Sequence, residues 1–278
     1  MRTANDDGPV PADVRIPYGE DPAQFGDLYL PESAGPHPVA VLIHGGYWRA
    51  TYNLDHFSHA AAALRGQGLA VWNLESRRIG QAAGGWPGTF ADVARGLDHL
   101  RQLATSYPLD LGRVVVTGFS AGGHLALWLA ARWTPAGGPL RRPQPFAVRG
   151  VASLAGLCDL RRAWELRLSN GAVEQLLGGT PQAVPARYVA ASPYELLPLG
   201  VPQVLIHGTA DAAVPVELSE RYYRRARALG DPVALVTLPN TGHFELIDPQ
   251  SPAWPIVQEK LQRLGEAHGQ ALGGGLAT

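Results

Sequence analysis

Short runs of β-branched and aliphatic residues recur along the 278-residue chain, and segments of helical composition separate them. The runs at 39–44 (VAVLIH), 69–74 (LAVWNL), 114–118 (VVVTG), 148–154 and 204–207 each end near Gly, Ser or a polar residue. Near-continuous apolar character over so few residues is what a strand buried on both faces requires, and such strands belong to parallel sheets. The segments between them, 54–67, 89–107 and 121–133, are rich in Ala, Leu and Arg. Thr89 followed three residues later by Asp92 has the form of a helix start. Strand and helix in alternation predict βαβ units and an α/β fold, a mostly parallel central sheet with helices on both faces.

The ends depart from this alternation. Segments 14–18 and 24–30 flank Gly19-Glu20-Asp21-Pro22, which predicts an N-terminal antiparallel hairpin. A last strand is expected at 233–238 and a closing helix at 251–264, followed by a Gly-rich, mobile tail over 265–278. Residues 159–198 carry Pro181, Pro185, Pro193 and Pro198, one apolar helical piece at 173–177 and no strand. An insertion there falls between two sheet strands and reads as a small lid over the C-terminal edge of the sheet. With no internal repeat, the chain reads as one domain over 1–278.

Composition narrows the function. Hydrophobic residues at 46% against 17% charged supply a sizeable core. A net charge of −1, with basic pairs scattered at 77–78, 141–142, 161–162 and 224–225, leaves no nucleic-acid surface. Cys158 is the single cysteine, which excludes an intramolecular disulfide and a multi-cysteine metal site. No metal or cofactor is expected. The N-terminus is polar and acidic, and no apolar stretch reaches membrane-spanning length, so the expectation is a cytoplasmic chain without a membrane span, with a homodimer left open.

Three motifs carry chemistry. Gly118-Phe119-Ser120-Ala121-Gly122 lies between a predicted strand and an Ala/Leu-rich helix. A serine on so sharp a strand-to-helix turn is pushed clear of the sheet, and the helix start presents N–H groups toward developing negative charge. His44-Gly45-Gly46-Tyr47-Trp48 follows another strand. Acyl transfer builds charge on a carbonyl oxygen, and glycine lets backbone donors approach it. Gly45 or Gly46 would supply one donor and Ala121 the other, with His44 orienting the loop. Finally, a serine hydroxyl needs a base, and the base needs a carboxylate. Asp211 follows the strand at 204–207 and His243 follows the strand at 233–238, in the order nucleophile, acid, histidine.

Other residues compete for these roles. His37, His56, His59, His99 and His268 fall in surface-like or helical contexts; His124, one turn beyond Ser120, and His207, within its strand, read as structural. Glu217 and Asp248 are rival acids that follow a strand end less closely, and Cys158 has no histidine near it in sequence. Tyr47, Trp48 and Trp86 are candidate pocket walls, equally able to be core. Glu75, Arg77 and Arg78 read as an ion-pair group bracing a loop, with carboxylate recognition as the alternative.

Together the residues resemble the α/β-hydrolase superfamily over roughly 14–264. His-Gly-Gly-Tyr-Trp at 44–48 with Gly-Phe-Ser-Ala-Gly-Gly-His-Leu at 118–125 is similar to the kynurenine formamidase and esterase/lipase branch, as are 18–31 and Glu75-Ser76-Arg77-Arg78 with Gly84-Gly85-Trp86-Pro87. Ser76 stands where relatives often carry an aromatic residue. The resemblance implies a cofactor-free serine hydrolase working through an acyl-enzyme, with Ser120, Asp211 and His243 as triad. Its substrate would be a small carboxylic ester or, alternatively, N-formylkynurenine; a non-catalytic binding homologue is a remoter reading.

Overall fold

A computed structural model describes residues 8–132 and 146–266. The acidic terminus at 1–7, the Arg141-Arg142 pair, His268 and the tail at 267–278 lie outside the described residues. Residues 265 and 266, expected in the tail, instead continue the closing helix.

Eight strands form one sheet among the described residues. In chain order they are β1 (Val14–Pro17), β2 (Phe25–Tyr29), β3 (His37–Ile43), β4 (Ala70–Leu74), β5 (Leu109–Phe119), β6 (Gly150–Leu154), β7 (Gln203–Gly208) and β8 (Val233–Leu238). Their spatial order is β1-β2-β4-β3-β5-β6-β7-β8. The β1–β2 hairpin is antiparallel and joins β4 antiparallel, whereas the remaining pairs are parallel. The chain leaves β3 for β4 on one side and returns across it to β5 on the other. That reversal of direction opens a crevice at the C-terminal ends of β3 and β5, where ligands of open α/β sheets bind.

Successive residues of each strand feed opposite faces. Val39, Val41 and Ile43 enter one core, and Ala40 and Leu42 enter the other. The second face is covered by α1 (Ser58–Arg65) and α10 (Trp254–Glu266). The first carries α2 (Gly88–Asp98), α3 (Leu100–Leu103), α4 (Ala121–Ala131) and α9 (Glu217–Ala228). Between β6 and β7 come α5 (Leu160–Glu165), α6 (Ala172–Leu177), α7 (Pro185–Ala191) and α8 (Pro193–Leu196), each sending apolar side chains into that same first core.

The helix start expected at Thr89 is present but built differently, and one helix escapes the sequence reading. The helix at 88–98 takes no side-chain cap from Thr89. The Thr89 hydroxyl instead donates to the Arg77 carbonyl, and Asp92 is buried against Arg77 and Gln24. Helix α9, between β7 and β8, escapes a reading based on Ala- and Leu-rich runs because its sequence is ELSERYYRRARA. Its apolar positions Leu218, Tyr222 and Ala226 nonetheless recur every four residues and are buried, together with Ser219.

Helix α4 is buried on every side, which places His124 in the core. Its Nε2 donates to the Ala191 carbonyl at 2.9 Å, and its Nδ1 accepts the Trp48 indole N–H at 3.2 Å. Both nitrogens are thus satisfied by a neutral ring, and burial lowers its pKa to about 4. A group whose folded pKa lies below its unfolded value stabilises the fold above that unfolded value, about 6.5 here. This contribution is lost as pH falls toward 4, by roughly 3 kcal/mol in total. His56 and His99 are lowered by burial in the same direction but are only partly buried. His124→Gln should therefore lose less stability between pH 6.5 and pH 4 than the wild type in denaturant titrations. Parallel decline of the two proteins would assign the acid sensitivity to other groups.

Candidate active site

Ser120 follows β5 and precedes α4 with φ 56° and ψ −119°, a conformation few side chains tolerate. The glycines around it are required by space. A Cβ on Gly118 would run into the Gly122 carbonyl, one on Gly122 into the carbonyls of Ile43 and His44, and one on Gly123 into Ser153 Oγ. The Ser120 N–H donates to Leu154 O at 2.7 Å, tying the turn to β6. Ala121 is the first residue of α4, where a backbone N–H has no intrahelical acceptor.

The loop after β3 lies directly against this turn. A Cβ on Gly45 would stand 3.1 Å from Ser120 Cβ and 2.9 Å from the Phe119 ring. Gly46 has φ 105°, and Tyr47 and Trp48 follow at φ 50° and 58°. His44 holds the start of the loop: its Nδ1 lies 2.7 Å from Gly45 O and its Nε2 3.0 Å from Glu75 Oε1. Because a trans peptide points its C=O and N–H to opposite edges, fixing Gly45 O toward His44 turns the Gly46 N–H the other way. Glu75 is buried, which pushes its carboxyl pKa up, but the His44 imidazole, Arg78 and the Ser76 amide outweigh burial and lower it.

The third part comes from the loops after β7 and β8. These strands are neighbours, and their loops are joined by Ala210 N donating to Thr241 O at 3.0 Å. Gly208 allows this approach, since a Cβ there would meet the Thr241 carbonyl. Asp211 and His243 are thereby brought together, with His243 Nδ1 2.6 Å from Asp211 Oδ2. The other carboxylate oxygen accepts the amides of Ala213 and Val214, each at 2.8 Å. Burial pushes the Asp211 carboxyl up, but hydrogen bonds from His207, His243 and Val214 hold it well below the usual carboxylate range. An ionised Asp211 makes His243 Nδ1 the donor, which in the neutral ring leaves Nε2 as the acceptor. The imidazole packs at a tilt against Phe119, the residue before Ser120, with ring centroids 4.5 Å apart. Ser120 is 2% exposed and His243 8%, so access is narrow.

The other candidates separate clearly. Glu217 pairs with Arg162 at 2.7 Å, and Asp248 caps the Gln250 amide. Cys158 is fully buried, with its thiol pushed up to about 12, a poor nucleophile. His37, expected near the surface, is buried at the start of β3. The half-buried His56 stacks on Tyr52 and approaches Phe244, next to His243. Arg77 and Arg78 are not solvated, as a scattered basic pair would be: Arg78 joins Glu75 and Arg77 joins Asp92.

Of the pocket candidates, Trp48 belongs to the core, at 3% exposure and with its N–H committed to His124. Tyr47 is a strut whose hydroxyl donates to Ala213 O at 2.6 Å, linking the loop after β3 to the acid loop. Trp86 is half-buried against Phe90 and receives no such task. Sequence reasoning passed over Arg49, whose guanidinium donates to Ser169 Oγ and O and reaches Gln175 in the 159–198 segment. It placed His207 in the core, where it is fully buried, but did not find that its Nε2 lies 3.3 Å from Asp211 Oδ2.

The chain matches the BD-FAE family model over residues 26–225. It is 28% identical to Esterase LipC of Mycobacterium tuberculosis over 84% of this chain and 60% of that protein. To the kynurenine formamidase of Danio rerio it is 24% identical, over 84% of this chain and 75% of the relative. The first curated relatives it matches are longer, and the chain spans 50% to 60% of their length. A solved structure described as a truncated carbohydrate esterase from gut microbiota superposes with a TM-score of 0.79 at 22% identity, covering 96% of this chain and 100% of that one. Among the described residues no helix is long and apolar enough to cross a membrane. By its family match, its sheet and its relatives, the chain belongs to the BD-FAE family, on the esterase branch of the α/β-hydrolases.

Proposed function

We propose that the protein is a serine hydrolase that cleaves small carboxylic esters through an acyl-enzyme. The observation that carries the reading is the 2.6 Å pair between His243 and Asp211, set beside the strained turn at Ser120 through Phe119. His243 Nε2 takes the Ser120 proton as Oγ attacks the ester carbonyl. The resulting oxyanion is received by the N–H of Ala121 and by a donor from Gly45 or Gly46. Collapse expels the alcohol, which takes the proton from His243. Water, activated by the same nitrogen, then attacks the acyl-enzyme, and the acid leaves with Ser120 restored. The narrow access to Ser120 favours small substrates, and residues 159–198 form a roof rather than a second domain. Likeness to the Danio rerio kynurenine formamidase supports a second reading, arylformamidase activity from the same groups.

Ser120→Ala should abolish turnover and fluorophosphonate labelling while the thermal transition stays in place. Near-normal activity in that variant would overturn the mechanism. Measured side by side, kcat/KM should be larger for a short-chain p-nitrophenyl ester than for N-formylkynurenine, and the reverse order would make the protein an arylformamidase. Gly45→Ala, which drives a methyl into Phe119 and Ser120, should lower kcat by about 100-fold, the scale of losing an oxyanion donor. A change under about threefold in kcat would remove that loop from the oxyanion site.

A further inference from the structure

His207 is wholly buried at the end of β7, four residues before Asp211, and the reaction as described does not use it. Its contacts determine where its hydrogen lies. Nε2 is 2.9 Å from the Val214 carbonyl, which can only accept, so Nε2 carries the hydrogen. That N–H also faces Asp211 Oδ2, 3.3 Å away. Nδ1 is left as acceptor, met at 2.7 Å by the hydroxyl of Ser219 in α9. Ser219 thus selects the tautomer in which His207 presents its N–H to the acid.

Oδ2 of Asp211 therefore stands between two imidazoles, His243 at 2.6 Å and His207 at 3.3 Å, while Oδ1 holds two backbone amides. A carboxylate shared in this way has less charge to offer either ring. The same N–H binds Val214 O, and Val214 N binds Asp211 Oδ1, so His207 closes the loop at 211–214 into a ring of hydrogen bonds. We infer that His207 is a positioning residue for the triad: it fixes the Asp211 carboxylate against His243 and draws off part of its charge, so that His243 yields its proton at lower pH than it would against an unshared carboxylate. The inference rests on the assignment of Ser120, His243 and Asp211 proposed above.

The titratable groups that face this cluster are few. Ser219 lies against Cys158, whose thiol is buried. Tyr47 comes from the loop after β3 and feels the Asp211 charge. Glu245 caps the Gly242 amide beside His243, and His56 and His44 lie within electrostatic reach of the site. None of these is altered by substitution at 207, so a change in the titration of His243 reports the shared carboxylate.

Two side chains separate the donor from the mere filling of space. The amide nitrogen of Gln reaches where Nε2 stands, whereas that of Asn reaches only to Nδ1. In His207→Gln the histidine titration of His243, followed by NMR in the full-length protein, and the acid limb of kcat/KM should stay within about 0.2 pH unit of wild type. In His207→Asn both should move up by about half a unit, with kcat down by about tenfold and KM little changed. That is the scale seen when the outer partner of an oriented histidine is removed. Thermal unfolding of the two variants gives the control for packing. If Gln and Asn move His243 alike, or neither does, His207 is a filler and the inference fails. The NMR titration does not depend on turnover. A wild-type protein inert toward esters and formamides would sink the catalytic reading, while the His243 shift would still decide whether His207 tunes the pair.

Discussion

A serine held at φ 56°, ψ −119° stores roughly 1–3 kcal/mol of backbone strain, and the rest of the site is built around keeping it there. The strain persists because the elements on either side cannot relax. Helix α4 is buried around its whole circumference, and its Leu125, Leu127 and Leu129 alone contribute about 4.5–9 kcal/mol of burial. Upstream, β5 is locked between β3 and β6, and the Ser120 amide is spent on β6. Small residues are the second requirement. Without side chains at 118, 122 and 123, the helix can start within contact of β3, which brings Gly45 against Ser120.

Buried carboxylates flank this turn on both sides, and the same physics keeps each ionised. Glu75 meets His44, Arg78 and two backbone amides; Asp211 meets two histidines and two backbone amides. Removing a carboxylate from water penalises its charged form, and only several donors together reverse that penalty. Here they do, since both groups lie below their ordinary range despite burial. The two pairs differ in purpose. Glu75 draws on a ring whose other nitrogen is spent on Gly45 O, so that pair holds a backbone in shape. Asp211 draws on a ring whose other nitrogen is the base in the mechanism proposed above.

The distinction explains which parts were legible in the sequence. Strands β3 to β7 were readable because burial on both faces forces continuous apolar runs. Ser120, Asp211 and His243 were readable as candidates because a parallel sheet delivers every strand end to one edge, so spacing from a strand locates a residue in space. Side-chain partners across the molecule carry no such signal. Nothing in HGTAD tells that His207 reaches back to Asp211, since a histidine in a buried strand looks the same whether it donates to a carboxylate or to a carbonyl. Arg49 meets Ser169 through a contact 120 residues away in sequence. Trp48 reads as a pocket wall until the left-handed turn at 47–48 rotates it into the core beside His124.

That turn makes the loop after β3 the junction of the site. In three consecutive residues it sends Tyr47 to the acid loop, Trp48 to the core helix and Arg49 to the 159–198 segment. What holds that segment in place is nevertheless mostly apolar. Its ion pairs, such as Arg161 with Glu195, are half in solvent and contribute little on their own. Leu160, Val173, Leu176, Leu177 and Tyr188 are instead buried in the main core, each stabilising by about 1.5–3 kcal/mol. A segment anchored by its own core residues does not swing away when an arginine lets go. Arg49 and Tyr47 therefore serve to set the position of the loop at 45–46 against two fixed bodies, rather than to open or close a gate. On the mechanism proposed above, the backbone donors of Gly45 and Gly46 are preorganised in that way before any substrate arrives, as stabilising a developing oxyanion requires.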